Sequence, residues 1–211
     1  MKTCLIQHAS GDEWRSLLYY ALGWHYQYCQ QHNIDYLVYS GEVQTVRVPN
    51  WNWLPLARLA LQLGNELVVV MDTDSIIVDR LVDLREAASE FEHVGSVHHP
   101  HPWKEQDWHY NLGVTFLKNT RLANKLLLDS DLMGEVPGPC GWHVQSAVLE
   151  TNDRMGGIIS QVSDRWNSSK RSNECKNPVI KSWHGLGGPG RIKEIMGELA
   201  RLTACKPDPS A

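Results

Sequence analysis

The sequence lacks a long apolar run and an N-terminal export signal. Its first apolar stretch is interrupted at Gln7-His8, which leaves it too short for the hydrophobic region of a signal peptide. No stretch approaches the roughly 18 consecutive apolar residues of a membrane span. These absences predict a protein that acts in a cytoplasmic compartment.

Paired cysteines and a strong net charge are also missing. The five cysteines are scattered and include no Cys-x-x-Cys pair, which favours reduced thiols over a disulfide framework. A net charge of −4 gives the whole chain no attraction to nucleic acid or to an anionic membrane. Residues 165–193 differ, because they hold seven basic residues and a single acid, Glu174. That segment is predicted either to favour anions or to be an ordinary solvated loop.

The pattern that is present is one of alternating strands and helices. The 211 residues suffice for one domain with a full core, predicted to span residues 1–205 ahead of a loose tail at 206–211. Strands are predicted at 3–7, 35–39, 43–48, 66–71, 94–97, 112–117, 158–162 and 179–183. Helices are predicted from Asp12, near Pro55, and at 81–91, 121–128, 142–150 and 192–202. This alternation predicts an α/β fold with a mainly parallel or mixed sheet.

An acidic pair follows the most apolar of these strands. Residues 68–71 are all apolar, which is typical of a strand buried on both faces, and Asp72 and Asp74 come directly after them. Open α/β sheets bind ligands at the carboxyl ends of their strands. Two carboxylates one residue apart suit a divalent cation that also contacts substrate phosphates. The same spacing is also common in simple turns, so the wider sequence has to decide.

A glycine-rich segment after His184 is a second candidate anion site. Glycines allow backbone N–H groups to approach a phosphate closely, and the start of a helix near Arg191 favours negative charge. Arg191 and Lys193 add positive charge. His184 offers a nitrogen ligand that suits Mn²⁺. A plain strand–turn–helix connection explains the glycines equally well.

Four further short motifs, each more typical of a structural role when taken alone, complete an ordered series. They are Arg58-Leu59, Asn111-Leu112-Gly113-Val114, Gln145 and Trp166-Asn167. Together with the acidic pair and the late His184, this series resembles the GT-A glycosyltransferases, in particular the glycogenin-like and yeast α-galactosyl- and mannosyltransferase families. The resemblance extends over about residues 1–195.

The resemblance implies a single-domain, Rossmann-like GT-A fold and a retaining hexosyltransferase. It implies a nucleotide-diphosphate sugar as donor, with a UDP-sugar favoured, and Mn²⁺ or Mg²⁺ as cofactor. The implied metal ligands are Asp72, Asp74 and His184, and the implied catalytic residues are Asp72, Asp74, Asn111 and Gln145. The implied donor-binding residues are His8, Ala9, Ser10, Arg58, Asp72, Gly113, Gly187, Gly188, Arg191 and Lys193.

Two other functions remain open on the residues alone. Haloacid-dehalogenase-like phosphatases also carry an Asp-x-Asp at the end of a strand, where the first acid attacks phosphate. Here, however, about 70 residues of α/β pattern precede the acids and no late pair of acids follows. A catalytically inactive sugar- or nucleotide-binding module is compatible with the nine tryptophans. Retention of both acids and of His184 argues against that second alternative.

The acceptor is left open as a hydroxyl of a glycan, a protein or DNA. The absence of an export signal favours the cytoplasm of a bacterium or of a phage-infected cell. A hydroxymethylated base in DNA is one hypothesis, because the basic segment with Trp166 could meet a phosphate backbone. The segment from His98 to Trp103 is predicted to be an exposed or acceptor-facing loop.

Overall fold

The computed structural model of the protein describes residues 1–41, 49–100, 108–134, 143–169, 173–184 and 188–204. The β-strands are β1 (Thr3–Ala9), β2 (Asp35–Ser40), β3 (Leu67–Met71), β4 (Ser75–Ile77), β5 (Val94–Pro100), β6 (Trp108–Lys118), β7 (Ile159–Gln161) and β8 (Ile180–Ser182). The α-helices are α1 (Asp12–His32), α2 (Trp53–Gln62), α3 (Arg121–Met133), α4 (His143–Arg154) and α5 (Gly188–Ala204). Short 3-10 helices cover Pro49–Asn52, Leu84–Glu90 and Asp164–Trp166.

Six strands form a central mixed sheet in the order β2-β1-β3-β6-β5-β7. The β2–β1, β1–β3 and β5–β7 pairs are parallel, whereas β6 runs antiparallel to both β3 and β5. Strands β4 and β8 form a separate two-stranded antiparallel sheet. The predicted α/β class with a mainly parallel mixed sheet is therefore confirmed.

Strand β3 explains why its sequence is uniformly apolar. All five of its residues are buried. Val68 and Val70 pack into a core shared with α2, α3 and α4, while Val69 and Met71 pack into a core on the opposite face of the sheet. Alternate side chains of a strand point to opposite faces, so a strand covered on both sides must be apolar throughout.

Two predicted elements differ from the structure, and one strand was not predicted. The predicted helix at 81–91 is a shorter 3-10 helix, Leu84–Glu90, which starts at a capping box formed by Asp83 and Glu86. Helix α5 begins at Gly188, four residues before the predicted start at Ile192. Strand β4 was not predicted, because a three-residue strand has too few positions to show a period.

Several sequence predictions lie outside the described residues. They are the strand at 43–48, the later part of the His98–Trp103 segment, Gly187, and the tail at 206–211. His98 and His99, by contrast, belong to strand β5 and not to a loop. Cys4, Cys29 and Cys175 are free thiols. None of the described helices combines the length and the apolar character needed to cross a membrane.

Candidate active site

The acidic pair lies where the central sheet meets the small β4–β8 sheet. Asp72 directly follows β3, and its backbone N–H donates to the carbonyl of Gly113 on β6 at 2.7 Å. The N–H of Ser75 donates back to the carbonyl of Asp72 at 3.1 Å, which closes a tight turn around Asp74. The Asp72 side chain is exposed, whereas Asp74 is buried with 5% of its surface accessible. The turn therefore presents one open and one enclosed carboxyl group.

The small sheet brings His184 to the same place. Ser75 and Ser182 are register partners, and their hydroxyls hydrogen bond at 2.7 Å. The N–H of Trp183 then donates to the carbonyl of Asp74 at 3.0 Å. His184 follows directly, half-buried, with its ring 4.9 Å from that of His99 on β5. A residue 110 positions away in sequence is thus held beside the acidic turn by the backbone of β8.

Arg191, in the first turns of α5, supplies the positive charge of this region. Its Nε lies 3.4 Å from Oδ2 of Asp74, and its Nη1 lies 3.9 Å from the carboxylate of Glu13. The guanidinium stacks 4.6 Å from the ring centroid of Trp14 on α1. Arg191 is buried, with 8% of its surface accessible. Lys193 is exposed on the same helix, and residues two apart on a helix do not share a face.

The electrostatics of the turn reflect two close acids and one arginine. Desolvation by the surrounding protein raises the pKa of both Asp72 and Asp74, and the charge of Asp74 raises the pKa of Asp72 further. Arg191 lowers the pKa of both groups. Because the Asp72 side chain is open to solvent, water screens part of the effect on that group. Burial, then Arg191 and His109, lower the pKa of His184 to about 4, so its imidazole is neutral near pH 7.

A bulge in β6 shapes the wall opposite the acids. Ser96 of β5 pairs with Thr115, but the next residue, Val97, pairs with Asn111, so residues 112–114 are additional on the β6 side. Bulges of this kind often occur beside active sites, where they redirect backbone groups. Here the freed N–H of Leu112 donates to Oε1 of Gln145 on α4 at 3.2 Å. Gln145 is thereby fixed against β6 next to the acidic turn.

Asn111 and Asn167 connect the motifs that were predicted separately. Oδ1 of Asn111 accepts hydrogen bonds from the N–H of Gly113 at 2.9 Å and from Nδ2 of Asn167 at 3.0 Å. Oδ1 of Asn167 in turn accepts from the hydroxyl of Ser182 at 2.6 Å. The chain of hydrogen bonds continues through Ser75 into the acidic turn. The Trp166-Asn167 motif therefore joins β6 to β8.

Gly113 lets the side chains of Asp72 and Asn111 lie closer to the β6 backbone than any residue with a Cβ atom would permit. A Cβ atom at this position would lie 2.8 Å from Oδ2 of Asp72 and 2.9 Å from Oδ1 of Asn111. Both separations are well below contact distance for carbon and oxygen. The missing side chain of Gly113 thus sets where the Asp72 carboxyl group can lie.

The residues predicted to border the nucleotide lie at the same edge of the sheet, two strands away from β6. His8 at the end of β1 stacks on Tyr39 of β2 with ring centroids 5.6 Å apart, and Asn52 donates to its Nε2 at 2.9 Å. Burial lowers the pKa of His8, which keeps the ring neutral. The side chain of Ala9 is buried, so only its backbone could meet a ligand, whereas Ser10 is half-buried.

Arg58 lies on α2, half-buried, and makes no ion pair with Asp72 or Asp74 among the described residues. Its predicted contact with the donor stays a prediction. Gly188 is the first residue of α5 and not part of a loop. The glycine-rich connection is therefore shorter than the sequence indicated.

A buried polar cluster behind the acids was not predicted from the sequence. Oε1 of Gln7 accepts from the Tyr36 hydroxyl at 2.5 Å and from Nδ1 of His25 at 2.8 Å. Nε2 of Gln7 donates to the carbonyl of Asp72 at 3.2 Å, and Nε2 of His25 accepts from the N–H of Ile77 at 3.3 Å. The cluster therefore holds both ends of the segment that carries the acids. No local spacing signals it, because its members come from β1, α1 and β2.

The stability of the protein is expected to fall as the pH drops below about 6.5, in part because of His25. Complete burial lowers the pKa of His25 to about 3, so the folded state keeps the ring neutral while the unfolded state binds a proton. The contribution of His25 to the free energy of unfolding is complete above the pKa of the unfolded state. It is lost as the pH falls toward the pKa of the folded state, by about 1.4 kcal/mol per pH unit. Urea unfolding measured from pH 7.5 to pH 4 should show that the free energy of unfolding falls less steeply with pH in His25→Gln than in the wild type. An equal pH dependence in the two proteins would contradict the neutral, buried state assigned to His25.

Two sequence interpretations are corrected by burial and pairing. Trp166 is buried, with its Nε1 donating to Glu90 at 2.7 Å, so it is not a surface platform for DNA. Within residues 165–193, Arg191 is committed to acids, and Lys181 pairs with Glu198 at 3.2 Å. The described part of this segment is therefore not a uniformly free basic surface.

Two properties decide whether Asp72, Asp74 and His184 could hold a divalent cation, namely the chemistry of their side chains and their arrangement. Two carboxyl groups and a neutral imidazole are ligand types that Mn²⁺ and Mg²⁺ sites use, so the residue types fit. Within the described ranges, however, no group of three or more His, Cys, Asp or Glu side chains is arranged so that it could hold an ion. The structure thus brings the residue types of such a site together, and the guanidinium group of Arg191 lies there against the carboxyl group of Asp74.

Comparison with known proteins gives likeness in structure only. No protein-family model and no curated protein sequence matches the chain. A glycosyltransferase involved in the glycosylation of the major capsid of PBCV-1 superposes with a TM-score of 0.73 at 14% identity, over 93% of this chain and 100% of that one. The galactosyltransferase LgtC, bound to donor and acceptor sugar analogs, superposes with a TM-score of 0.55 at 12% identity, over 97% and 98%.

An active-site mutant of LgtC with a glutamine changed to glutamate gives a TM-score of 0.58 at 11% identity, with the same coverage. All three likenesses extend over nearly the whole chain. They show the fold that the ordered motifs predicted. The chain therefore has the GT-A fold of glycosyltransferases.

Proposed function

We propose that the protein is a glycosyltransferase that moves a hexose from a nucleotide-diphosphate sugar, in the first instance a UDP-sugar, to a hydroxyl acceptor. The observation that carries this proposal is the convergence of the acidic turn, the Asn111–Gly113 bulge and His184 at one edge of a fold shared with glycosyltransferases along its full length. Ligands of α/β sheets bind at this edge. Each converging residue belongs to a motif that the sequence presents in the same order as that fold's transferases.

Asp72, Asp74 and His184 would hold a divalent cation in this proposal. A bound cation of this kind neutralises the negative charge that develops on the departing diphosphate. Asp72, the exposed acid, would be available to cation and donor. The Asp74 carboxyl group, enclosed and paired with Arg191, anchors the turn.

The sugar would lie between the acidic turn and the β6 bulge. Asn111 and Gln145 are oriented there by hydrogen bonds to backbone and to Asn167, which limits their motion. Fixed amide groups stabilise a transition state without reorganising when charge develops. That an active-site glutamine is changed in an LgtC variant supports a similar place for Gln145. Retention of the anomeric configuration is part of the proposal.

The two alternative functions have less support. A phosphatase would need Asp72 as a nucleophile, whereas the fold over nearly the whole chain is that of glycosyltransferases. A binding module would keep the donor intact. Incubation with UDP-glucose, UDP-galactose and GDP-mannose separates these cases, because a transferase slowly hydrolyses its donor.

The expected result is release of the nucleotide from one donor with Mn²⁺ and none after chelation with EDTA. Release of inorganic phosphate from simple phosphate esters would favour the phosphatase. Binding of a donor without turnover would favour the inactive module. Nuclear magnetic resonance of the first-formed sugar product would give its anomeric configuration.

The acceptor is a hydroxyl of a glycan, a protein or DNA in this proposal. The PBCV-1 enzyme acts in the glycosylation of a capsid protein, and the LgtC complex contains an acceptor sugar analog, so a carbohydrate or glycoprotein acceptor has support. A DNA acceptor has less support, because Trp166 is buried and Lys181 and Arg191 are paired with acids. Retention of the protein on immobilised DNA at low salt, and its release at high salt, would support a DNA acceptor.

A further inference from the structure

The acidic turn already has a cation, and it is part of the chain. The Nε atom of Arg191 lies 3.4 Å from Oδ2 of Asp74. Asp72 belongs to the same turn, and the hydrogen bond from Trp183 to Asp74 holds His184 beside that turn. These three residues are the ligands assigned to the divalent cation above. The guanidinium therefore occupies the electrostatic position that such a cation would take.

Arg191 has a defined place and a second acid within reach. It is buried against the ring of Trp14, and Glu13 lies 3.9 Å from its Nη1. Glu13 and Trp14 belong to the first turn of α1. Arg191 therefore has contacts with Trp14 and Glu13 that do not depend on Asp74.

A divalent cation bound at Asp74 would repel the guanidinium group of Arg191, because both are positive and the site is enclosed. Entry of the cation at Asp74 therefore requires Arg191 to withdraw. A nucleotide diphosphate offers Arg191 a new partner, because guanidinium groups bind phosphate oxygens in a bidentate manner. The diphosphate also binds the divalent cation directly.

We propose that Arg191 is the resident counter-cation of the acidic pair, and that it couples cation binding to donor binding by moving from Asp74 to the donor diphosphate. This inference rests on the proposed function. It predicts that the free protein binds Mn²⁺ weakly and that a nucleoside diphosphate tightens Mn²⁺ binding. Chelation of Mn²⁺ by the diphosphate itself adds to the second effect, so the part of the effect that is lost when Arg191 is replaced is the part assigned to Arg191.

The test is Mn²⁺ binding, measured from the electron paramagnetic resonance signal of free Mn²⁺, with and without UDP, GDP or ADP. The wild type should bind Mn²⁺ about tenfold or more tightly with the matching nucleotide, a normal size for coupling between two sites. Arg191→Met should bind Mn²⁺ alone more tightly than the wild type. The same variant should lose most of the nucleotide effect and bind the nucleotide less well.

The controls separate this inference from the function on which it rests. Arg201→Met removes a cation from the far end of the same helix, where Arg201 pairs with Glu198, and should behave as the wild type. Arg191→Lys keeps the charge and should keep part of the coupling if Arg191→Met folds poorly. Unchanged coupling in both Arg191 variants would overturn the inference alone. Absence of Mn²⁺ and nucleotide binding in the wild type would overturn the proposed function together with it.

Discussion

Asp72→Asn is expected to lower donor turnover by at least about a hundredfold, the loss seen when one well-placed charge-stabilising group is removed from an active site. The substitution keeps the size and shape of the side chain but removes the exposed carboxylate that follows β3. Because Asp72 is exposed and repelled by Asp74, its loss should leave the free energy of unfolding unchanged or slightly higher. The measurements are initial rates of nucleotide release and urea unfolding curves.

Asp153→Asn is the matched control, since Asp153 is an exposed acid on α4 outside the site. It should keep wild-type turnover and stability. If Asp72→Asn retained more than about half of the activity, the acidic pair could not have the role assigned to it. A large loss of stability in Asp72→Asn would instead give the exposed acid a structural role.

Gly113→Ala should also lower donor turnover about a hundredfold, because a misplacement of about 1 Å in an active site has this effect. The new methyl group would lie 2.8 Å from Oδ2 of Asp72 and would displace that carboxyl group. The carboxyl group lies at the end of a flexible side chain, so it can move aside and the fold should survive. The expected signature is a fall in kcat with little change in the unfolding midpoint.

Gly23→Ala provides the comparison for the same chemical change. Gly23 lies within α1, where an added Cβ would meet nothing within 4 Å. Alanine favours helix over glycine by up to about 1 kcal/mol, so this variant should be equally or more stable and fully active. Equal activity in Gly113→Ala and Gly23→Ala would show that Asp72 does not depend on the gap at Gly113.

The carboxyl end of β3 could be predicted from sequence because its cause is local. A strand covered on both faces has to be apolar along its length, and the acids then mark its end. The partners of the acids could be predicted only by resemblance. His184 reaches them through the β4–β8 pair, whose three-residue strands carry no periodic signal.

Other features depend on three-dimensional packing that no spacing encodes. Gln7, His25 and Tyr36 come from three elements, and their hydrogen bonds exist only once α1 lies against β1 and β2. Arg191 follows a glycine-rich segment, which in sequence indicates phosphate binding. In the structure the same residue neutralises Asp74, because α5 packs its first turns against the acidic turn.

The measurement that most directly tests the central claim is a thermal-shift series with nucleotide sugars, with and without Mn²⁺, on the wild type and Asp72→Asn. A ligand that binds only the folded protein raises the unfolding temperature. If the edge of the sheet at Asp72 binds a nucleotide-sugar donor with a divalent cation, one donor should stabilise the wild type in the presence of Mn²⁺ and stabilise Asp72→Asn far less. No shift with any donor, or equal shifts in both proteins, would contradict this assignment.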